Sequence, residues 1–420
     1  MQTICLLGRQ PKIGLSELEA MFGASALTVL SRDAVLVDGD VELSQLGGTI
    51  KTAKLLTPID SIELQKLTRF CAQALPEHIA DLPDGKIKLG LSFYGFDFGV
   101  RAIGASALEL KKTIKKLGRS VRVVPNPDPA LNSAQVLHNQ LTSPLGIELI
   151  FVRSGNKTYL GQTTAVQNIH DYTLRDRGRP KRDAYVGMLP PKLAQIMINL
   201  AVGSSLARVT AGGGAPNAHA GSASTDLGAD QLAGPEGDAQ NITILDPFCG
   251  TGVILQEAAL LGYSVYGSDL AQRMIDYSEV NLDWLRRTYD LSFDSTLETG
   301  DATTHQWTTP FSHVAGETYL GQPLLSLPSP DKLQSIIDGC DKLHTAFLKN
   351  IAAQTPSGTR MCLAVPAWKT QGGFKHLKTL DDLENLGYNR LDFVNADRSD
   401  LIYHREDQIV ARELVIITRK

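Results

Sequence analysis

The chain has 420 residues, of which 43% are hydrophobic and 20% charged, with a net charge of −4 and five cysteines. This length exceeds one ordinary core and predicts two or three domains; the composition is that of a soluble globular chain, with no apolar run long enough to span a bilayer. Cys5, Cys71, Cys249, Cys340 and Cys362 form no CxxC pair, which argues against a zinc site and a disulfide framework, and no metal is expected. The N-terminus MQTICLLGRQ has no basic leader followed by a signal-like core, so a cytoplasmic protein is expected. The acidic average hides any nucleic-acid surface, which would have to be local.

In chain order, residues 3–10 read as a strand, 15–23 as a short helix and 26–38 as two strands, a small α+β unit over 1–61. From residue 62 the pattern runs helix, strand, helix, strand, helix, strand, strand as far as residue 165. In the second of these helices Leu110, Ile114 and Leu117 share one face, while Lys111, Lys112, Lys115 and Lys116 fall off it. Arg119 and Arg122 extend this basic cluster. Such a run is ordinarily a solvated face, and in an acidic protein it is also an electrostatic footprint for phosphates. Residues 166–186 are a polar bridge with Arg175, Arg177, Arg179, Lys181 and Arg182, either a solvated linker or a phosphate-contacting one. Pro190 and Pro191 announce a helix over 187–201. The Gly/Ala/Ser-rich stretch 203–240 has almost no large apolar residue and predicts a flexible insertion.

At 242–252 the run ITILDPFCGTG passes from β-branched residues into a turn with Gly250 and Gly252, the pattern of a strand-to-helix turn that holds a nucleotide-like ligand. A dinucleotide fingerprint would place a third glycine where Leu255 stands. Asp269 then ends a second short strand, SVYGSDL, and Asp301 follows a third, STLETGDAT. Each acid alone is equally at home as a turn or helix cap; in series they fit one ligand crossing the carboxyl edge of an open α/β sheet. Helices follow at 271–289, 331–354 and 379–387, a strand at 361–368, and closing antiparallel strands at 390–407 and 411–420.

DPFCGTGVILQEA followed by GSDL and GDAT resembles the S-adenosylmethionine-binding core of class I methyltransferases, and most closely the THUMP-containing RNA guanine-N2 methyltransferases acting on tRNA. The resemblance implies an α/β architecture: a seven-stranded Rossmann-like methyltransferase domain over 187–420, preceded by an α+β region with a ferredoxin-like part (1–61), a THUMP domain (62–165) and a basic linker (166–186). It further implies that Asp246, Gly250 and Gly252 line the methionine and adenosine end, with Pro190, Phe248 and Leu270 against the same ligand. Asp269 would take the ribose hydroxyls, and Asp301 with Ala302 the adenine. The basic residues above would grasp tRNA, with ribosomal RNA as the alternative partner.

Amino-group methylation needs an acceptor for the amine hydrogens and a flat wall for the base. In the resembled family an Asp- or Asn-Pro-Pro-Tyr turn does this. Here the stretch is HVAGETYLGQPL, and aligning Gly321 with the family's glycine puts Glu317, Thr318 and Tyr319 at the catalytic positions, a carboxylate without the stiff turn. Three readings stay open: Glu317 binds the amine with Tyr319 as stacking ring, the site methylates another nucleophile, or the pocket is degenerate and the protein only binds tRNA. Gln322-Pro323 would be a shifted version of the turn.

Overall fold

The computed structural model describes residues 1–183, 188–203, 242–324, 326–406 and 408–420. The backbone divides into two compact units, Met1–Glu19 with Gly23–Arg177, and Ala20–Phe22 with Gly178–Lys420. The insertion expected at 203–240 lies, apart from Gly203, outside the described residues. Among the described residues no helix is long and apolar enough to cross a membrane.

The first unit contains β1 (Gln2–Leu7), α1 (Pro11–Phe22), β2 (Leu27–Ser31), β3 (Ala34–Asp38), β4 (Thr49–Ile59), α2 (Leu64–His78), β5 (Ile87–Tyr94), α3 (Val100–Lys116), β6 (Val121–Val123), α4 (Ser133–His138), β7 (Gly146–Ser154), β8 (Lys157–Val166) and α5 (Ile169–Thr173). Its strands form one eight-stranded sheet in the order β2-β3-β1-β4-β8-β7-β5-β6. Residues 1–61 and 62–165 therefore share a sheet, because β4 from the first stretch pairs antiparallel with β8 from the second. Helices α2 and α3 bury Leu67, Cys71, Ile103, Leu110 and Ile114 with the apolar side chains of β5 and β7. Leu117, expected on that face, is 43% exposed, since α3 ends one residue before it. Inside the sheet lies a buried ion pair: Lys51 Nζ stands 2.5 Å from Glu148 Oε1 and donates to the Leu131 carbonyl at 3.1 Å. The Ser92 and Thr163 hydroxyls donate to the same carboxylate, so a costly buried pair is fully hydrogen-bonded.

The second unit contains α6 (Pro191–Val202), β9 (Thr243–Asp246), α7 (Val253–Leu260), β10 (Ser264–Asp269), α8 (Gln272–Tyr289), β11 (Ser295–Thr299), β12 (His313–Glu317), α9 (Pro330–Ala352), β13 (Arg360–Thr370), β14 (Gly373–Lys375), β15 (Tyr388–Arg390), β16 (Ile402–Tyr403) and β17 (Val410–Arg419). Seven strands run in the order β11-β10-β9-β12-β13-β17-β15, with β14 and β16 attached to β13 and β17. The strands from β11 to β13 are mutually parallel, and β17 lies antiparallel to both β13 and β15. This is a doubly wound, Rossmann-like sheet with one antiparallel strand near its edge. The strand order reverses between β9 and β12, and in open α/β sheets the crevice at such a switch point is where ligands bind. The core beside it packs Leu245, Val314, Phe347, Leu363, Trp368 and Val415.

Two expected elements differ. The helix predicted at 379–387 is a single 3-10 turn at Lys378–Asp381, whose Thr379 amide and hydroxyl bond Asp341 Oδ1 at 2.9 and 2.8 Å in place of helix continuation. The strand predicted at 390–407 survives only as β15 and β16; Arg398 binds both oxygens of Asp392, at 2.6 and 2.8 Å, and closes a loop between them.

Candidate functional site

Four acidic residues follow from the strand ends. Asp246 ends β9, Asp269 ends β10, Asp301 lies two residues beyond β11 and Glu317 ends β12. Because neighbouring parallel strands finish on one edge, these carboxylates converge on a single cavity of about 1000 Å³, the upper end of the roughly 300–1,000 Å³ usual for small-molecule sites.

The glycine turn shapes its floor. Gly250 (φ 52°) and Gly252 (φ 79°) sit in the left-handed region, and a Cβ on Gly252 would stand 2.9 Å from Ser278 Oγ, so α7 can start here only with glycine. Asp269 ties the turn down, accepting from Gly250 N at 3.0 Å and from Ala271 N at 2.9 Å. Asn281, fully buried on α8, adds a clasp. Its Nδ2 donates to the Thr251 and Lys181 carbonyls at 2.8 and 2.9 Å while its Oδ1 accepts from Lys181 N at 2.9 Å.

Asp246 is 2% exposed, and burial above all pushes its carboxyl well above the ordinary range; the Phe248 amide, donating at 3.1 Å, opposes this, and the negative charges of Asp269 and Glu317 add to it. Asp301 behaves oppositely, held below the usual range by the Thr303 amide and hydroxyl, at 2.9 and 2.7 Å.

The turn after β12 is anchored by polar contacts. Glu317 pairs with Nε of Arg412 on β17, and both side chains are largely buried. Thr318, 3% exposed, sends its amide to the Ala364 carbonyl at 3.0 Å, and its hydroxyl lies 2.7 Å from His344 Nε2. His344 Nδ1 meets the Cys340 carbonyl at 2.7 Å. Burial lowers this histidine to about 4, so the ring is neutral; Nδ1–H donates to Cys340, and Nε2 and the Ala364 carbonyl, 3.0 Å from the same oxygen, share the Thr318 hydroxyl proton. Tyr319 is 44% exposed at the rim.

Of the residues expected against a cofactor, Asp246, Phe248, Gly250, Asp269, Leu270, Asp301 and Ala302 line the cavity, as do Glu317, Thr318 and Tyr319. Pro190 and Gly252 do not: Leu189, Thr251 and Val253 stand in the wall beside them, with Pro190 as the N-cap of α6 and Gly252 the N-cap of α7. The sequence reading missed Leu189, Thr251 and Thr303 in the wall, and Asn281, His344 and Arg412, which bond to wall residues; Gln322 and Pro323, named as a shifted turn, also line it. Thr251, as a neighbour of two glycines, carried a local signal; Arg412, distant in sequence, carried none.

Among the basic residues, Lys112, Lys115, Lys116, Arg122 and Arg177 are exposed and Lys111, Arg175 and Lys181 half-exposed. Three do not match an open phosphate contact. Arg119 spends its guanidinium on the Leu82 and Pro83 carbonyls at 3.2 and 2.5 Å, Arg175 stacks 4.2 Å from the Tyr172 ring centre, and Arg179 is buried at 3% exposure. Among the described residues no group of three or more His, Cys, Asp or Glu could hold a metal ion.

A cavity lined by four acidic side chains, of which Glu317 is paired with Arg412 and Asp246 is pushed up by burial, and by a glycine turn offers acceptors to a ligand with donor hydroxyls, as a nucleoside has. Residues 231–298 match the family model of the RMKL-like methyltransferase domain, UPF0020. A tRNA (guanine(10)-N2)-dimethyltransferase of Pyrococcus abyssi is 43% identical over 60 residues, 14% of this chain and 17% of that protein. A protein of the same name from Methanocaldococcus jannaschii is 31% identical over 113 residues, 27% of this chain and 22% of that one. The matches thus span less than a quarter of the length of either relative. The crystal structure of TrmN from Thermus thermophilus covers 100% of this chain and 99% of its own with a TM-score of 0.50 at 16% identity, a likeness of fold. The second unit carries a methyltransferase domain, and the methyl donor of such a domain is S-adenosylmethionine.

Proposed function

We propose that the protein is an RNA methyltransferase that adds a methyl group to the exocyclic N2 of a guanosine in tRNA, position ten being the nucleotide named for the relatives above. The observation that carries this reading is Glu317, a carboxylate at the end of β12 on the same cavity as Asp246, Asp269 and Asp301. Asp269 would accept hydrogen bonds from the ribose hydroxyls, Asp301 and Ala302 would meet the adenine, and Leu270 would cover it. Asp246 would stand by the positive end of the ligand.

S-Adenosylmethionine, when bound, supplies an electrophilic methyl carbon on a sulfonium. Glu317 would accept a hydrogen bond from the guanine amine, keep its lone pair directed toward that carbon, and take the amine proton that methylation releases before passing it to water. Tyr319 stacks against the extruded base. In this reading the first unit, as a ferredoxin-like and THUMP region, grasps tRNA through Lys112, Lys115, Lys116 and Arg122, with Arg177 contributing from the polar bridge.

The test is incubation of the protein with S-adenosylmethionine and unmodified tRNA transcript, followed by nucleoside mass spectrometry. N2-methylguanosine is expected, and Glu317→Ala should reduce its formation by at least about 100-fold while leaving cofactor affinity within twofold. Methylation of ribosomal RNA fragments alone would replace the substrate. Binding of both ligands without transfer would leave a tRNA-binding protein.

A further inference from the structure

The turn at 317–321 has no proline, yet its first two side chains are held on their buried sides. Arg412 reaches Glu317 from β17, two strands away across β13, where Arg412 stands opposite Pro366 and Glu317 is in register with Ala364. Both partners are mostly shielded, the Arg412 side chain 8% and the Glu317 side chain 16% exposed, so the charges interact with little competition from water. The contact is through Nε, at one side of a planar fork, and to Oε1 alone. That contact holds one carboxylate oxygen and leaves Oε2 outside it, and Glu317 lines the cavity. The next residue is fixed in the same manner, Thr318 by the Ala364 carbonyl and by His344. Two polar anchors thus restrict a segment whose own backbone residues would leave it mobile.

We propose that Arg412 is a positioning residue that aims the Glu317 carboxylate at the amine of the substrate base, supplying by an ion pair across the sheet the rigidity that prolines supply in a Pro-Pro turn. The inference rests on the reading of Glu317 as the amine acceptor. Arg412 itself touches neither the methyl donor nor the base, and is absent from the cavity wall.

A double-mutant cycle tests it, with three readouts: single-turnover methyl transfer to tRNA, cofactor dissociation constant by calorimetry, and melting temperature. Arg412→Met should slow transfer by about 100-fold, the scale of a misplaced reacting group, with cofactor affinity unchanged within twofold. Arg412→Lys, which keeps the charge and loses the fork, should recover to within about tenfold of the original rate. Because Arg412 acts through Glu317, the Glu317→Gln/Arg412→Met double variant should be no slower than Glu317→Gln alone. Should Arg412→Met fail to fold, the same comparison with Arg412→Lys decides. Multiplicative losses in the double variant, or a cofactor affinity that falls with the rate, overturn the positioning role and leave Glu317 as acceptor. Full activity of Glu317→Gln, or no transfer by the unaltered protein, overturns the reading of Glu317 and this inference with it.

Discussion

Asp246 shows how a single buried carboxyl links the cavity to pH. Burial, with Asp269 and Glu317 adding to it, raises its folded pKa above the unfolded value near 3.8. The protonated form is therefore favoured by folding: the stability it contributes is fully present below that value and is lost as pH rises through the raised one. A bound cation favours the ionised form. Affinity for the sulfonium donor should consequently increase with pH across that same window, above 3.8, more than affinity for its neutral thioether product. Calorimetry of both ligands from pH 5 upward checks this, and parallel pH profiles would remove Asp246 from the cation. Asp246, Asp269 and Asp301 were legible in the sequence because each follows its own strand by local chemistry. The Glu317–Arg412 pair was not, since 95 residues separate its members and only the antiparallel return of β17 brings them together. Thr318 was legible as part of the turn, but its bond to His344 depends on the placement of α9.

Helix α8 joins the glycine turn to the segment at Lys181 through one side chain. Replacing Asn281 with alanine would strand the buried Thr251 carbonyl and the part-buried carbonyl and amide of Lys181, a loss of about 1–3 kcal/mol of stability. Asn281→Asp should do at least as much harm, because its second oxygen would face the Lys181 and Thr251 carbonyls where the amide now donates. Both variants should weaken binding of the methyl donor several-fold, seen by calorimetry beside thermal melting; an Asn281→Asp variant with unaltered affinity would show that the turn is held without it, by Asp269 and by the Ser278 hydroxyl, which donates to the Gly250 carbonyl at 2.9 Å. At this scale the sequence was read well where periodicity is strong, as in β5, β7, α8 and α9, and poorly after residue 376. There, side-chain bonds to Asp341 and between Arg398 and Asp392 decide the path, and no period-2 or period-3.6 pattern records them.

For the whole molecule, the net charge of −4 makes tRNA binding depend on where cations lie. If Lys112, Lys115 and Lys116 each neutralise one phosphate, replacing all three with glutamine should reduce the slope of log affinity against log salt by about 2–3. An unchanged slope would return Lys112 to a solvated face and Lys115 and Lys116 to the ordinary role of lysines in the last turn of a helix, complementing the dipole of α3. The division at Arg177/Gly178 falls in the polar bridge that composition marked, whereas the single eight-stranded sheet ahead of it was hidden, because pairing of β4 with β8 joins residues a hundred positions apart. The five cysteines distributed along the chain are all buried as free thiols. Burial pushes Cys71 up to about 12 and Cys340 to about 11, and raises Cys5, Cys249 and Cys362 as well, so almost no thiolate exists at neutral pH. One cysteine introduced on an exposed helix such as α3 should therefore take a maleimide fluorophore far faster than the native thiols, of which Cys249 alone lines the cavity; mass spectrometry of the labelled chain checks this.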